Sequence, residues 1–311
     1  MHDLLRAYAT DLAGIEDCQK ERWAALTRLF DHYLATAAAA MDTLHPAEQC
    51  HRPRIGPPAT PSPPVADPPA ARAWLDVERI TFTTVSAYTA ARGWPGHTTG
   101  LSSTLFRYLE VGGHYPDAVA IHTHALRAAR DTDDPAGEAR ALTNLGVVYW
   151  QQGRYQQAAE HHQQALTLAR EIGDQAGEAR ALDNLGAVYS RQGHYPQAAE
   201  HQQQALTLYR EIGERGGEAD ALNGVGATHH ATGHHDQAHA YHAAALTLAT
   251  QIGDRYEQAR AHDGLARTHH ASGELDQTRH HWYQALALYT DLGVPEADDV
   301  HAHLTALDRP G

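Results

Sequence analysis

The sequence is nearly without lysine and poor in cysteine. Among its 311 residues, Lys20 is the single lysine, and Cys18 and Cys50 are the two cysteines. Two distant cysteines provide neither a disulfide framework nor a Cys-x-x-Cys metal pair, and this usage fits a reducing compartment. The formal net charge of -14 argues against a general nucleic-acid surface, because phosphate binding needs a basic stripe. With no long apolar run and no hydrophobic leader, we expect a cytoplasmic protein without a membrane partner.

The sequence also lacks the common motifs of catalytic sites. A phosphate-binding loop needs GxxxxGK[ST], and Lys20 lies in EDCQKER, which has no glycine-rich approach. There is no GxSxG elbow, HExxH helix or CxxC pair. We therefore predict a protein that is not an enzyme and needs no cofactor.

A long internal repeat fills most of the chain. The stretch ALTNLGVVYWQQGRYQQAAEHHQQALTLAREIGD begins at Ala141 and returns as ALDNLGAVYSRQGHYPQAAEHQQQALTLYREIGE from Ala181, then in weaker form from Ala221 and Ala261. The offset is 40 residues each time. A fixed period of this length is typical of a solenoid or array.

Each copy is predicted to form two antiparallel amphipathic helices. Apolar and small residues recur at helical spacing up to Tyr149, and again after the break at Gly153. Gly173 is expected to end the second helix, since glycine tolerates the left-handed conformation found there. Asp174 is expected to cap the next helix.

This repeat resembles the tetratricopeptide repeat. Six residues fall on the family's signature positions, namely Leu145, Gly146, Tyr149, Tyr155, Ala158 and Ala165. The family's closing proline is missing, and the unit is about six residues longer than the common one. The resemblance implies an all-α fold, a tetratricopeptide-type helical-repeat superhelix (α-solenoid), preceded by an N-terminal helical segment and a proline-rich linker.

The predicted organisation has five parts. Residues 1–44 form an N-terminal helical segment, 45–70 a proline-rich linker, 71–97 a helical segment leading into the repeats, 98–297 five repeats, and 298–311 a C-terminal capping helix and tail. The apolar stripe of the N-terminal segment, with Trp23, Phe30 and Met41, either packs within its own core or meets a partner module.

A second resemblance concerns a larger assembly. HDLLRAYATDLA, starting at His2, looks like the end of the winged-helix module in STAND-type (NB-ARC-like) regulators, which include SARP-type regulators. The proline-rich interruption and then AWLDVER look like the approach to their tetratricopeptide sensor region. This resemblance implies a sensor or scaffold of a regulatory system. Its partner is a protein or peptide, and a separate STAND ATPase module is a further partner.

The resemblance places partner binding on the concave face, which the first helix of each repeat lines. The predicted contact residues are Arg140, Thr143, Asn144, Val147, Trp150, Arg180, Asp183, Asn184, Ser190 and Asn223. Side-chain amides can pair with an extended peptide backbone, and arginines can bind carboxylates. Alternatively, Asn144 and Asn184 belong to the repeat consensus, and the arginines pair with Glu138 and Glu178.

Histidines crowd the last two repeats. His235, His239 and His242 follow i, i+4, i+7 on one helix, a spacing that offers imidazoles to a metal. However, His235 stands where Tyr195 stands one repeat earlier, and His242 where His162 stands, so packing is the favoured interpretation. Proton sensing by buried imidazoles is the third reading.

An alternative function is that of a DNA-binding transcriptional regulator acting through the N-terminal helices, or of a truncated STAND-type regulator. This reading needs a basic recognition helix, but Lys20 and Arg22 are interleaved with Glu16, Asp17 and Glu21. We therefore expect no direct contact with nucleic acid. The sequence leaves the partner, the oligomeric state and the true start of the gene open.

Overall fold

The structure, a computed structural model, describes residues 18–46, 49, 52–58, 60–61 and 63–307. Within these ranges the chain forms 13 α-helices and no strand, which confirms the predicted all-α class. The helix predicted at residues 2–12, the segment HDLLRAYATDLA and Cys50 lie outside the described residues. None of the described helices combines the length and apolar character needed to cross a membrane.

The helices divide between two compact units, one of residues up to 109 with 116–132, the other of 110–115 with 133 onwards. The first contains α1 (Gln19–Leu44), α2 (Pro68–Arg92), and most of α3 (Pro95–Val111) and α4 (Tyr115–Asp131). The second contains α5 (Pro135–Gln151), α6 (Tyr155–Ile172), α7 (Gln175–Arg191), α8 (Tyr195–Ile212), α9 (Arg215–Ala231), α10 (His235–Ile252), α11 (Arg255–Ala271), α12 (Leu275–Leu292) and α13 (Glu296–Leu307).

In the first unit, the stripe on α1 packs into its own core. Phe30, Leu34 and Met41 are buried, and Phe30 contacts the ring of Trp94 edge-on at 5.2 Å between centroids. Trp23 is 46% exposed, although one face of its ring stacks on Trp94 at 3.7 Å. This arrangement favours the interpretation in which the stripe serves the core of its own unit.

Some apolar residues of α2 are exposed. Ile80 is 74% exposed and Tyr88 is 41% exposed. The buried face contains Leu75, Phe82 and Val85. Ile80 lies off that face, because successive side chains turn by about 100° around a helix.

The described residues of the proline-rich stretch contact α1. The hydroxyl of Thr43 donates a hydrogen bond to the carbonyl of Val65 at 2.8 Å, and the His32 ring is 2.9 Å from the hydroxyl of Thr60. Val65 itself is buried. These contacts bring the end of α1 close to the start of α2.

In the second unit, the helix caps repeat with the sequence. Gly173 ends α6 with φ of 71°, a left-handed conformation that favours glycine, and the carboxylate of Asp174 accepts a hydrogen bond from the backbone N–H of Gly177. Both predicted caps are confirmed. At the far end of the unit, α13 buries Val300 and Leu304 in a cluster with Trp282.

One buried slot on the second helix of each repeat is usually polar. It holds His122, His162, Gln202, His242 and Trp282, all at most 4% exposed. In the second repeat the slot faces a small residue on the first helix: a Cβ at Gly146 would overlap the ring of His162. Burial lowers the pKa of His162 to about 3, below the ordinary value of about 6.5.

This shift makes folding stability depend on pH. The unfolded chain takes up a proton on His162 below about pH 6.5, whereas the folded chain does so near its lower pKa. We therefore expect His162→Gln, which introduces the residue of the same slot in the next repeat, to lose less stability on acidification. The difference from wild type should be about 1.4 kcal/mol between about pH 7.5 and 5.5, measured by urea unfolding followed by circular dichroism.

The matched control is His301→Gln, because His301 is an exposed histidine on α13. It should leave the wild-type dependence on pH unchanged. Equal losses of stability in wild type and His162→Gln would contradict the prediction.

Candidate functional site

The predicted partner-binding residues lie on the first helices of successive repeats. We call this surface of α5, α7, α9 and α11 the first-helix surface. It is the side of these helices that contains Arg140 and the residues equivalent to Arg140 in the other repeats. Arg140 and Arg180 are exposed on it, and Asn144, Asn184 and Trp150 are half-buried. The repeat places each residue 40 positions from its equivalent, so these side chains form rows across neighbouring helices.

On α5 and α7, the polar side chains of this surface have unused hydrogen-bonding capacity. Within the described part of the chain, the amides of Asn144 and Asn184 make no hydrogen bond, and Arg140 and Arg180 form no ion pair. Glu178, the expected partner of Arg180, instead accepts a hydrogen bond from Arg170 at 2.7 Å. The ion pair predicted between Arg180 and Glu178 is therefore not present.

The remaining predicted residues of α5 and α7 have internal contacts. The hydroxyl of Thr143 donates to the carbonyl of Ala139 at 2.9 Å, and Ser190 accepts a 3.4 Å hydrogen bond from Thr228. Val147 is half-buried. The Arg191 guanidinium lies over the ring of Trp150, with 5.3 Å from its central carbon to the centroid. Trp150 and Arg191 thus form a cation–π pair at the end of the row.

On α9 and α11 the same surface is committed to internal bonds, and the prediction for Asn223 needs correction. Asn223 is 2% exposed, and its amide N–H groups donate to the carboxylate of Glu257 at 2.9 Å and to its carbonyl at 3.1 Å. The amide oxygen of Asn223 lies 3.1 Å from Nδ1 of His242. Asn223 connects α9, α10 and α11 and has no free group for a partner.

Glu257 belongs to a cluster of three carboxyl groups around one guanidinium. Nη1 of Arg260 donates to both carboxylate oxygens of Glu257, at 2.9 and 3.0 Å, and to Asp220. Burial, and then the charge of Asp220, raises the pKa of Asp183 well above its usual range. Burial also raises the pKa of Glu257 to about 7. One guanidinium does not compensate the buried carboxylates of Asp183 and Glu257 together with the half-exposed carboxylate of Asp220, so the cluster retains protons near neutral pH.

Departures from the repeat pattern reveal this cluster in the sequence. Asp220 stands where Arg140 and Arg180 stand in earlier repeats, and Glu257 replaces the glycine found at position 217. A Cβ at Gly217 would overlap the ring of Tyr209, whereas the equivalent of Tyr209 below Glu257 is Ala249. In one repeat the large residue is Tyr209 and the small one is Gly217, whereas in the next the small residue is Ala249 and the large one is Glu257. The smaller side chain of Ala249 leaves room for the carboxylate of Glu257.

The histidines of the last repeats fill packing positions. In the second to fifth repeats, a ring near the end of the first helix contacts a ring on the second helix. The pairs are Tyr149 with His161, Tyr189 with His201, His229 with Tyr241 and His269 with His281, at 5.2 to 5.4 Å between centroids. The alternation of tyrosine and histidine in equivalent positions supports the packing interpretation.

The three histidines considered as metal ligands contact different neighbours. His235 lies against His230, His239 against His269, and His242 against Asn223. Across the described ranges, no group of three or more His, Cys, Asp or Glu side chains is arranged to hold a metal ion. The spacing i, i+4, i+7 therefore reflects three separate packing contacts.

Comparisons with known proteins identify the repeat. Residues 108–171 and 137–211 match the family model described as tetratricopeptide repeat. A search of curated proteins found no match to the chain.

Several solved structures are similar to this chain. The crystal structure of BtubC (BKLC) from P. vanneervenii is 18% identical, with 72% of this chain and 92% of that one covered and a TM-score of 0.56. A Rap protein complexed with Competence and Sporulation Factor is 14% identical, covering 76% and 71%, with a TM-score of 0.53. Aspartyl phosphate phosphatase F from Bacillus subtilis is 15% identical, covering 97% and 86%, with a TM-score of 0.50. At these identities the similarity shows the fold, which is that of a tetratricopeptide-repeat solenoid.

The retained protons of the carboxyl cluster lead to a prediction for Asp183→Asn. Asparagine occupies the equivalent position in the next repeat, as Asn223, and it resembles a protonated aspartate in shape. Because the folded-state pKa of Asp183 is raised, its ionisation costs stability as the pH rises above the unfolded value of about 3.9. We expect the variant to be more stable than wild type at about pH 8, by roughly 1–2 kcal/mol, and the gain to disappear near pH 4.

Chemical unfolding at the two pH values measures this difference. Asp299→Asn is the control, since Asp299 is exposed on α13, and it should match wild type at both. A destabilised Asp183→Asn protein at pH 8 would show that the ionised carboxylate is needed in the fold.

Proposed function

We propose that the protein is a non-enzymatic interaction module that binds an extended, acidic segment of a protein or peptide partner. The proposed site is the first-helix surface of α5 and α7. The observation that carries the proposal is that the amides of Asn144 and Asn184, which are 40 residues apart, make no hydrogen bond within the described residues. The equivalent positions on α9 and α11 hold Gly224 and Gly264, so the two halves of the array differ at this row.

The chemistry of the surface favours this class of partner. An extended peptide has unpaired backbone N–H and C=O groups, which a side-chain amide can satisfy from both its donor and its acceptor. Arg140 and Arg180 carry exposed guanidinium groups that bind carboxylates bidentately. The Trp150 ring, under the Arg191 guanidinium, provides a neighbouring flat surface for an apolar side chain.

The partner is proposed to act in a regulatory or signalling system. The support is the resemblance of the sequence to the sensor region of STAND-type regulators, in which repeats follow a proline-rich interruption. Co-purification of a STAND ATPase with the full chain tests this part. If the first-helix surface is the docking site, the complex should still form when Trp23, on the exposed side of α1, is replaced by another residue.

The first prediction for the surface concerns a variant that lacks both asparagine amides. Asn144→Ala combined with Asn184→Ala should weaken peptide binding by roughly 30-fold, because two hydrogen-bonding groups contribute about 1 kcal/mol each. Peptides selected from a random display library on the wild-type chain serve as probes, with affinities measured by fluorescence anisotropy.

The matched control is Gln163→Ala combined with Gln203→Ala. These exposed amides are also 40 residues apart but lie on the second helices α6 and α8. The control should bind as wild type does. If the double asparagine variant, with an unchanged circular dichroism spectrum, retained full affinity, the proposed site would be abandoned.

The second prediction concerns charge. Arg140→Ala combined with Arg180→Ala should reduce the affinity for acidic peptides and reduce the dependence of that affinity on salt, since exposed charges act over a screened distance of about 10 Å. Arg215→Ala with Arg255→Ala is the control, because these exposed arginines contact Gln251 and Asp291 on second helices. A library that yields no enrichment of Asp and Glu would contradict the acidic character of the partner.

A further inference from the structure

A group of arginines lies in the first unit, apart from the proposed partner surface. Arg52 follows α1, Arg72 is on the second turn of α2, and Arg107 is on α3. They surround His45, the residue that ends α1. Burial, followed by the charges of Arg107, Arg52 and Arg72, lowers the pKa of His45 to about 4, so its ring is neutral at pH 7.

The fold brings these three elements together at one place. The hydrogen bond from Thr43 to the carbonyl of Val65 places the last turn of α1 beside the approach to α2. One turn after Arg72, Asp76 accepts a 2.6 Å hydrogen bond from the hydroxyl of Tyr108, the neighbour of Arg107 on α3. Arg72 and Arg107 are therefore held on adjoining helices next to the end of α1.

Arg52 is the most deeply buried member of the group. Its side chain is 8% exposed, and Nη2 donates to Asp42 Oδ1 at 2.8 Å and to the carbonyl of His45 at 2.9 Å. Nε and Nη1 are buried as well, and within the described residues neither has an acceptor. A buried donor on a charged group that lacks an acceptor destabilises the folded chain.

The nearby carboxylates are already engaged. Asp42 accepts from Arg52 through one oxygen and from the Gln49 amide through the other, at 2.8 Å. Asp76 is bonded to Tyr108, as described above. The imidazole of His45 is neutral and adds no negative charge. Within the described ranges, Nε and Nη1 of Arg52 thus have no acceptor, and the charges that act on the neighbouring His45 are positive.

We propose that this arginine cluster, Arg52 with Arg72 and Arg107, binds an oxyanion of the phosphate class. The anion accepts hydrogen bonds from Nε and Nη1 of Arg52, while Arg72 and Arg107 supply the remaining positive charge. Guanidinium groups suit this ligand because they are planar, permanently charged and carry several donors. Bound there, the anion connects the chain after α1 to α2 and α3, so its binding stabilises the first unit.

The test is direct titration of the full chain by isothermal calorimetry at constant ionic strength. Sodium phosphate, ATP, acetate and chloride are titrated in separate experiments. Saturable binding of phosphate with no binding of acetate or chloride is expected, and tighter binding of ATP than of phosphate would identify a phosphoryl group on a larger ligand as the source. Calorimetry is preferred to thermal shift alone, since phosphate also stabilises proteins through its exclusion from their surface.

Arg52→Gln should weaken phosphate binding by roughly tenfold or more, as expected from the loss of a charge-assisted hydrogen bond. Arg54→Gln is the matched control, because Arg54 is an exposed arginine two residues further along, and it should bind as wild type does. Arg72→Gln is a second variant with the same expected direction. Arg72 makes no hydrogen bond or ion pair in the described part of the chain, so its replacement leaves the contacts of the fold intact.

Two results would overturn the proposal. One is the absence of saturable binding in every arm with wild-type protein, which would make Arg52 a purely structural cap on α1. The other is equal phosphate affinity in wild type, Arg72→Gln and a folded Arg52→Gln. Neither result bears on the peptide-binding surface of α5 and α7, which is tested separately.

Discussion

In the second, third and fourth repeats, the close approach of the two helices depends on a glycine on the first helix that faces a histidine or glutamine on the second. A methyl group at Gly146 would overlap His162, one at Gly186 would overlap Gln202, and one at Gly226 would crowd His242. Because protein interiors are close-packed, these pairs determine how near the two backbones lie. In these three repeats the slot accordingly holds an imidazole or an amide, in His162, Gln202 and His242.

Polar groups in these slots have consequences for the neighbouring repeat. Gln202 accepts a 2.8 Å hydrogen bond from Thr228 on the next first helix, and His242 contacts Asn223, which in turn binds Glu257. Buried polar groups are stable when they are hydrogen-bonded, so these contacts link α8 to α9 and α9 to α11. Packing within one repeat is thereby coupled to the placement of the next.

This coupling divides the first-helix surface into two chemically different parts. On α9 and α11 its polar side chains hold the repeats together, and the carboxyl cluster around Arg260 retains protons because two buried acids and the half-exposed Asp220 share one guanidinium. On α5 and α7, Asn144, Asn184, Arg140 and Arg180 have no such partners within the described residues. Partner binding is therefore proposed where the structure does not already use the polar groups.

The sequence by itself determined the local structure. The period of 40 residues, the break at Gly153 and the cap formed by Gly173 and Asp174 were sufficient for the helix pairs, since helical periodicity and capping depend on residues only a few positions apart. The exposed positions of Arg140 and Arg180 also followed from the pattern of the repeat.

Only the tertiary structure decided which polar residues are available. Thr143 and Asn223 occupy equivalent positions in their repeats, yet Thr143 is half-buried, whereas Asn223 is buried and bonded to Glu257, which is 34 residues away. The exposure of Ile80 on α2 and the buried, partly unpaired guanidinium of Arg52 depend in the same way on which elements pack beside them. A repeat pattern specifies the residue at each position, whereas contacts between distant positions set its burial, its charge state and therefore its capacity to bind.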